Sequence, residues 1–420
     1  MATVDTAASN ILRYEQDRLL LGFYNQLMGD QLAQKSQNIP ANRGDTTYWH
    51  RKIKLARNVT PLTKGTDIAS PKSIYMTSIN AQALEYGDAI TRERIVELTS
   101  KHLGTWDEMV DSCSVQAAES MDYLVMTLLA KNSYRMRADN DATYTVDVAA
   151  TSDGIATTFI STSLTQAHNF WDGGYITITM PETTTYVDRG NYCETRLIAS
   201  YVTGTVTQAA FPGITKSGCT AHLCVATGTV ATDVLSTLAF GLAVRQLKRN
   251  KGVRFNDNVI KRGALSHKEV HNLPPGAGGP GYWACIVNTD TEYDFMQDTT
   301  WVDVGKYQDQ ERLAKGEVGK WMATKVFGTT QPWRETVAGV EAETTGAVHP
   351  VHFLGQDAYG ISAVAAPGAE PPFGLLLNLM TSKDLGEYVP RLTSAGWIAY
   401  YACRSLNSLW NVAMLCGATA

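Results

Sequence analysis

The sequence predicts an α+β fold, and three observations carry that prediction. One uninterrupted amphipathic helix is written into residues 105–131. A stretch at 135–228, rich in Thr, Ser, Val and Gly, alternates polar and apolar residues between recurring turn signals. The C-terminal part then reads as one strand after another, with no charge beyond Arg404.

The composition sets bounds. At 420 residues and 44% hydrophobic, the chain can build a real core, in about three domains or lobes. Its net charge of −5 argues against a surface built wholly to grip nucleic acid, though it leaves room for local basic patches. No apolar run is long enough to span a membrane. The opening MATVDTAASNILRYEQDR lacks an apolar signal core, so synthesis in a reducing cytoplasm is expected. The seven cysteines (113, 193, 219, 224, 285, 403 and 416) are odd in number and irregular in spacing. They read as small buried hydrophobes, not as a disulfide framework.

Taken in order, residues 1–45 give an amphipathic helix (Ile11, Tyr14, Leu19, Leu20, Phe23) and then a polar extended arm. Residues 46–90 read as strand, loop, strand, with NVTPLTKGTDIASP between the two. Within it, residues 51–72 hold six cations (Arg51, Lys52, Lys54, Arg57, Lys64 and Lys72) against one acid, Asp67. A two-stranded ribbon is marginal alone in water, so it should lie on something, and its charge favours an acidic surface. A short helix is expected over 91–104. Thr105 and Glu108 then form a capping box for the long helix, whose Trp106, Val110, Cys113, Ala117, Met121, Leu124 and Leu128 keep a three-four spacing.

The β module at 135–228 holds more acids than bases and looks inserted, because a helical pattern resumes at 231–251. That helix ends in cations, which suits its dipole. The Pro/Gly run at 274–281 marks a loop, WACIVNT (283–289) a buried strand, TEYDFMQDTTW a helix and VGKWMATKVFG a return to strand. The last run, GWIAYYACRSLNSLWNVAMLC, reads as a central strand pair.

No motif carries catalytic chemistry. GEVGK at 316–320 is too short for a phosphate loop, and GAGGPG at 276–281 lacks a following helix. The candidate metal set is Cys219, His222 and Cys224, with Cys193, but residues three apart on a strand face opposite sides. His349 and His352 share that spacing. No enzyme, cofactor or metal is expected. The strongest basic patch is Arg245, Lys248, Arg249, Lys251 and Arg254, extended by Lys261 and Arg262. It suits a neighbouring subunit, DNA phosphates or simple solvation of a helix end, and with Phe255 as its one interleaved aromatic it would not read sequence.

Several stretches together resemble the major capsid proteins of tailed bacteriophages of the N-four type. They are NRGDTTYWHRK (42–52), TPLTKGTD (60–67), LEYGDAITRERIVELTS (84–100), QAAESMDYLVMTLLAKN (116–132) and LAVRQLKRN (242–250). Further on they are YWACIVNTDTEYDFMQDTTWVDVGKY (282–307), GEVGKWMATKVFGTT (316–330), GQDAYGI (355–361) and GWIAYYACRSLNSLW (396–410). The resemblance implies the Hong Kong ninety-seven type capsid fold. It assigns 1–45 to an N-terminal arm, 46–90 to an extended loop, and 91–134 with 346–420 to a peripheral domain around a spine helix. Residues 231–345 become an axial domain, and 135–230 an inserted β domain for which the family offers no usual counterpart.

The function implied is self-assembly into hexamers and pentamers of an icosahedral head around double-stranded DNA. The ribbon cations would be subunit contacts, and Lys64 could cross-link subunits, although a plain loop lysine is the simpler reading. A portal, a separate scaffolding protein, a decoration protein on the β insert and non-specific DNA contact are the expected partners. The expected location is the virion shell, assembled in the host cytoplasm. The alternatives are an encapsulin-type cellular compartment, or a virion surface protein that binds through the β insert.

Overall fold

A computed structural model describes residues 29–35, 39–40, 44–52, 76–93, 106–152, 154, 157–179, 193–211, 219–227, 229, 232–255, 281–297, 302–303, 317–329, 331, 333–336, 348–365, 375–381 and 392–418. Helix α1 (Gly29–Leu32) opens the described chain, followed by β1 (Gln34–Lys35), β2 (Ile39–Pro40), β3 (Thr46–Lys52), β4 (Met76–Gln82) and β5 (Leu84–Glu93). The long helix α2 (Trp106–Lys131) leads to β6 (Tyr134–Arg137). Six strands come next: β7 (Thr145–Ala149), β8 (Thr158–Ile160), β9 (Tyr175–Thr179), β10 (Cys193–Val202), β11 (Thr205–Gln208) and β12 (Thr220–Cys224). Helix α3 (Thr237–Arg249), β13 (Trp283–Asn288), α4 (Thr289–Met296), β14 (Val302–Asp303), β15 (Glu317–Trp321) and β16 (Thr324–Thr329) follow. The chain ends in β17 (His349–Leu354), β18 (Tyr359–Ala365), β19 (Leu375–Thr381), β20 (Leu392–Ser405) and β21 (Asn411–Cys416).

Cα proximity divides the chain into two compact units. One holds residues 1–48, 80–125 and 360–404; the other holds 49–79, 126–359 and 405–420. In the first, β20 is the axis of a six-stranded sheet. β5 runs antiparallel along one side of it, from Leu392↔Glu93 to Tyr401↔Leu84, and β19 along the other. β18 also pairs with β20, and the short β1 and β2 run parallel to β18. The three-four spacing of α2 buries Val110, Cys113, Ala117 and Met121. Gln116 ties this face to the sheet, donating to Asp88 (2.5 Å) and accepting from the Trp397 indole (3.3 Å).

The second unit holds two sheets. A six-stranded antiparallel sheet, ordered β7-β12-β9-β10-β11-β8, packs Phe159, Trp171, Ile176, Tyr201, Val206 and Leu223 into its own core. Its two end strands are tied where Thr151 N–H donates to Ile160 O (3.0 Å) and Ser161 Oγ to Ala149 O (2.8 Å). A register shift between Ile198 and Ser200 bends β10, so that its first half pairs with β9 and its second half with β11. The other sheet has seven strands, ordered β14-β15-β16-β13-β17-β21-β6. Every residue of β13 and β21 is buried, as strands covered on both faces require. Phe240 of α3 and Phe295 of α4 stack at 5.0 Å over Trp283, Cys285, Val287, Phe353 and Met414 on one face.

The structure corrects the sequence reading at several places. The run at 396–416 is not a strand pair: β20 lies in the six-stranded sheet of the first unit and β21 in the seven-stranded sheet of the second. A 3₁₀ turn at Ser408–Trp410 separates them, with the buried Asn407 side chain accepting from Leu409 N–H (3.1 Å). Residues 346–420 therefore do not return as one piece to the spine helix, because β17 and β21 complete the sheet of β13 and β16. Residues 73–90 are not one ribbon strand. At Ala83, whose N–H donates to Asp45 O (2.8 Å), β4 ends and the chain enters the sheet as β5. Residues 91–93 continue β5, while the rest of the expected helix at 91–104 and the cap at Thr105 lie outside the described residues. β6 pairs with β21, so the β module starts after it, at β7. Helix α3 starts at 237 instead of 231, because the Ser236 hydroxyl caps it by accepting from Ala239 N–H (3.2 Å). The N-terminal helix expected before residue 29 lies outside the described residues.

Candidate assembly surfaces

The predicted ribbon cations are only partly described. Arg51 and Lys52 end β3, which pairs with β4 in a two-stranded sheet. Lys54, Arg57, Lys64 and Lys72 lie outside the described residues. The first unit does carry the acids that such a ribbon would seek. Glu85, Asp88 and Glu93 are exposed along β5, and Glu108, Asp111 and Glu119 along α2. The Asp88 carboxyl is held below its ordinary value by the Ala89 N–H and the Gln116 amide, so it stays charged in mild acid.

The second predicted patch is described completely from Arg245 to Arg254, and its cations come together. Arg245, Lys248, Arg249, Lys251 and Arg254 are all exposed at the C-terminal end of α3. That end is locked. Lys251 N–H donates to Lys248 O (3.1 Å) and Gly252 N–H to Leu247 O (2.9 Å), with Lys251 in the left-handed region at φ 57°. This is the double hydrogen bond of a Schellman stop, with lysine where glycine is usual. Asn250 anchors the turn from inside, donating from Nδ2 to Leu409 O (2.8 Å), while its own carbonyl accepts from the Trp410 indole (3.2 Å). The Lys248 ammonium and the Arg254 guanidinium lie over the Trp283 ring at 5.4 and 4.3 Å, cation–π contacts that hold both charges against the indole. Lys261 and Arg262 lie outside the described residues.

The metal candidates do not converge. Cys219 lies in the core of the six-stranded sheet, whereas Cys224 belongs to a separate cluster with Ala226, Val348 and Leu415. Burial pushes the Cys224 thiol up to about 12, far from the thiolate a metal needs. Cys193 donates to Asn407 Oδ1 (2.8 Å). His222 Nε2 sits 2.7 Å from the Arg135 carbonyl, which can only accept, so this nitrogen is the donor. Its Nδ1 faces Tyr134 Oη (3.0 Å) and Asp147 Oδ1 (2.6 Å). Among the described residues no three His, Cys, Asp or Glu side chains gather closely enough to hold a metal. His349 meets Asn288 (2.6 Å) and His352 meets Asn411 (3.2 Å), in separate places. GEVGK falls largely within β15, a strand, and so offers no helix N-terminus to a phosphate.

Two features escaped the sequence reading. The first is a buried ion pair. Arg135 meets Glu335 at 2.5 and 3.2 Å, with both side chains almost wholly enclosed, and the guanidinium lies 3.5 Å from the Tyr175 ring centre. The partners are 200 residues apart, so no local pattern announces them. The second is the acidic character of α4, whose first turn carries Asp290 and Glu292. Its TEYD signal was visible as a helix but not as one end of a surface.

No family model and no curated protein matches the sequence. Solved structures do match. The capsid of Ralstonia phage GP4 aligns over 94% of this chain and 92% of its own, with a TM-score of 0.53 at 10% identity. The capsid of the cyanophage P-SCSP1u aligns over 94% and 89%, with a TM-score of 0.46 at 11% identity. The capsid of the cyanophage Pam1 aligns over 90% and 86%, with a TM-score of 0.46 at 10% identity. The first of these shows the fold: this chain is built as a phage capsid chain is built, the architecture that its sequence resemblance implies.

Proposed function

We propose that this chain is the major capsid protein of a tailed phage, a structural protein without catalytic role that assembles into hexamers and pentamers of an icosahedral head. The observation that carries this reading is the capsid fold, aligned over nearly the whole of both chains. The arrangement of charge supports it. A cationic ribbon and an acidic strand-and-helix surface complement each other when copies meet, and repeated weak contacts add through symmetry.

In this reading each subunit lays its ribbon, with Arg51, Lys52, Lys54, Arg57, Lys64 and Lys72, over the acidic α2 and β5 surface of a neighbour. The shell encloses double-stranded DNA, touched without sequence preference. A portal and a separate scaffolding protein complete the head, and the six-stranded β module offers a seat for a decoration protein. Assembly takes place in the host cytoplasm, and the product is the virion shell.

Deleting residues 56–70 tests the mechanism. The shortened subunit should fold, giving an unchanged circular dichroism spectrum, yet form no closed shell under the electron microscope. Closed shells of ordinary size from the deletion would sink the ribbon-over-neighbour mechanism.

A further inference from the structure

The seven-stranded sheet has a direction, and its charge follows that direction. β13 and β21 run the same way, since each is antiparallel to β17 between them. Helix α3 runs against them. Its entry lies at the C-terminal end of β21, where Gly417 N–H donates to Asp233 O (2.9 Å), and its exit at the start of β21, where Asn250 meets Leu409. Helix α4 begins directly after β13, with the Asn288 side chain as its cap. Asp233, Asp290 and Glu292 therefore gather at one end of the sheet. Arg249, Lys251 and Arg254, with Arg245 one turn earlier on α3, lie at the other, where Lys248 and Arg254 meet the Trp283 ring at the start of β13. The thirteen residues of α3 separate the ends by about 20 Å.

Each end also shows an apolar side chain to solvent. Tyr293 is 64% exposed beside the acids, and Val253 is 48% exposed among the cations. Of the two, the tyrosine is the residue type enriched in contact surfaces. The acidic end is firm. Asp290 is held by Arg334 (3.0 Å), Asp233 is half-buried, and Glu292 is half-buried close over Gly328.

We infer that these two ends are the two halves of one heterologous contact, the acidic α4 end of each copy seating on the basic α3 end of the next. The inference rests on the shell reading and names the partner of the basic patch as a second copy of this chain. Two unlike, complementary patches on opposite ends of one sheet are what a closed ring requires, because a two-fold contact would bring each patch against itself. Charge opposition also fixes register, since like charges brought together in a slipped ring repel.

The test is a pair of end reversals on the full chain, scored by sedimentation and electron microscopy. One variant carries Arg245→Glu and Arg249→Glu, another Asp233→Lys and Asp290→Lys, and a third carries all four. Each single-end reversal should lower the fraction of chain in rings or shells by about tenfold or more, and the four-fold variant should recover most of it. The neutral pair Arg245→Gln and Arg249→Gln, with an unchanged melting curve, should lose assembly in part and so guards against misfolding as the cause. If single reversals assemble like the parent chain, or if the basic-end variant forms normal shells with reduced DNA, the patch contacts nucleic acid and the inference is overturned. If the parent chain forms no multimer even with the head proteins co-expressed, it is the shell reading that has failed.

Discussion

At the scale of single residues, the second unit depends on groups that burial has made unforgiving. Arg135 and Glu335 are enclosed together, with the Trp333 indole also donating to Glu335 (3.3 Å). Burial disfavours the charged guanidinium, but Glu335 and, to a lesser degree, Tyr175 and Cys224 together offset this and leave its pKa raised. Removing one partner is therefore far costlier than removing both. Glu335→Gln should lower the unfolding free energy by about 3–5 kcal/mol, and Arg135→Met with Glu335→Leu should recover most of that loss, read from urea denaturation. Equal losses in the single and double variants would contradict this account.

His352 makes a second residue-scale prediction. Burial depresses its pKa to about 4, below the ordinary 6.5. The native state thus holds it neutral while the unfolded chain takes up a proton. Its stabilising contribution is complete above pH 6.5 and is lost as the pH falls toward 4, by about 3 kcal/mol in total. His352→Asn keeps a donor toward Asn411 and cannot titrate, so it should flatten the dependence of stability on pH between 6.5 and 4. An unchanged slope would remove His352 from the account.

At the scale of elements, the junction between β20 and β21 decides how the chain is divided. Asn407 is fully buried, accepts from Leu409 N–H (3.1 Å) and receives the Cys193 thiol (2.8 Å) from β10. Asn407→Ala should cost about 1–2 kcal/mol, measured by thermal or chemical unfolding, because the Leu409 amide then lacks its acceptor. A change within experimental error would show that the turn needs no cap.

This junction also shows what the sequence could and could not tell. The apolar alternation of 396–416 made two strands legible, but pairing is a long-range choice, and one Asn in a polar Ser-Leu-Asn-Ser stretch does not announce a change of sheet. Helix α2 was legible from end to end, because its three-four spacing is local and neither proline nor glycine interrupts it. The cations of α3 were legible as a cluster. Their seating against Trp283 was not, because it depends on the antiparallel bridge of Phe255 to Tyr282, a long-range pairing.

At the scale of the whole molecule, the account makes function a matter of geometry. No set of side chains among the described residues converges on a metal, whereas charge is sorted onto separate surfaces: acids along α2 and β5, cations at the end of α3, acids again at the start of α4. In the proposed symmetric assembly each surface would meet its complement, and small contact energies would repeat across every copy. The capsid fold supplies the frame in which that repetition can close.

The most direct test of the central claim is electron microscopy, combined with mass determination, of the purified full-length chain over a wide concentration series. The account predicts five- and six-membered rings or closed shells that grow in population with concentration. A chain that stays monomeric at every concentration, with and without co-expressed head proteins, would contradict it.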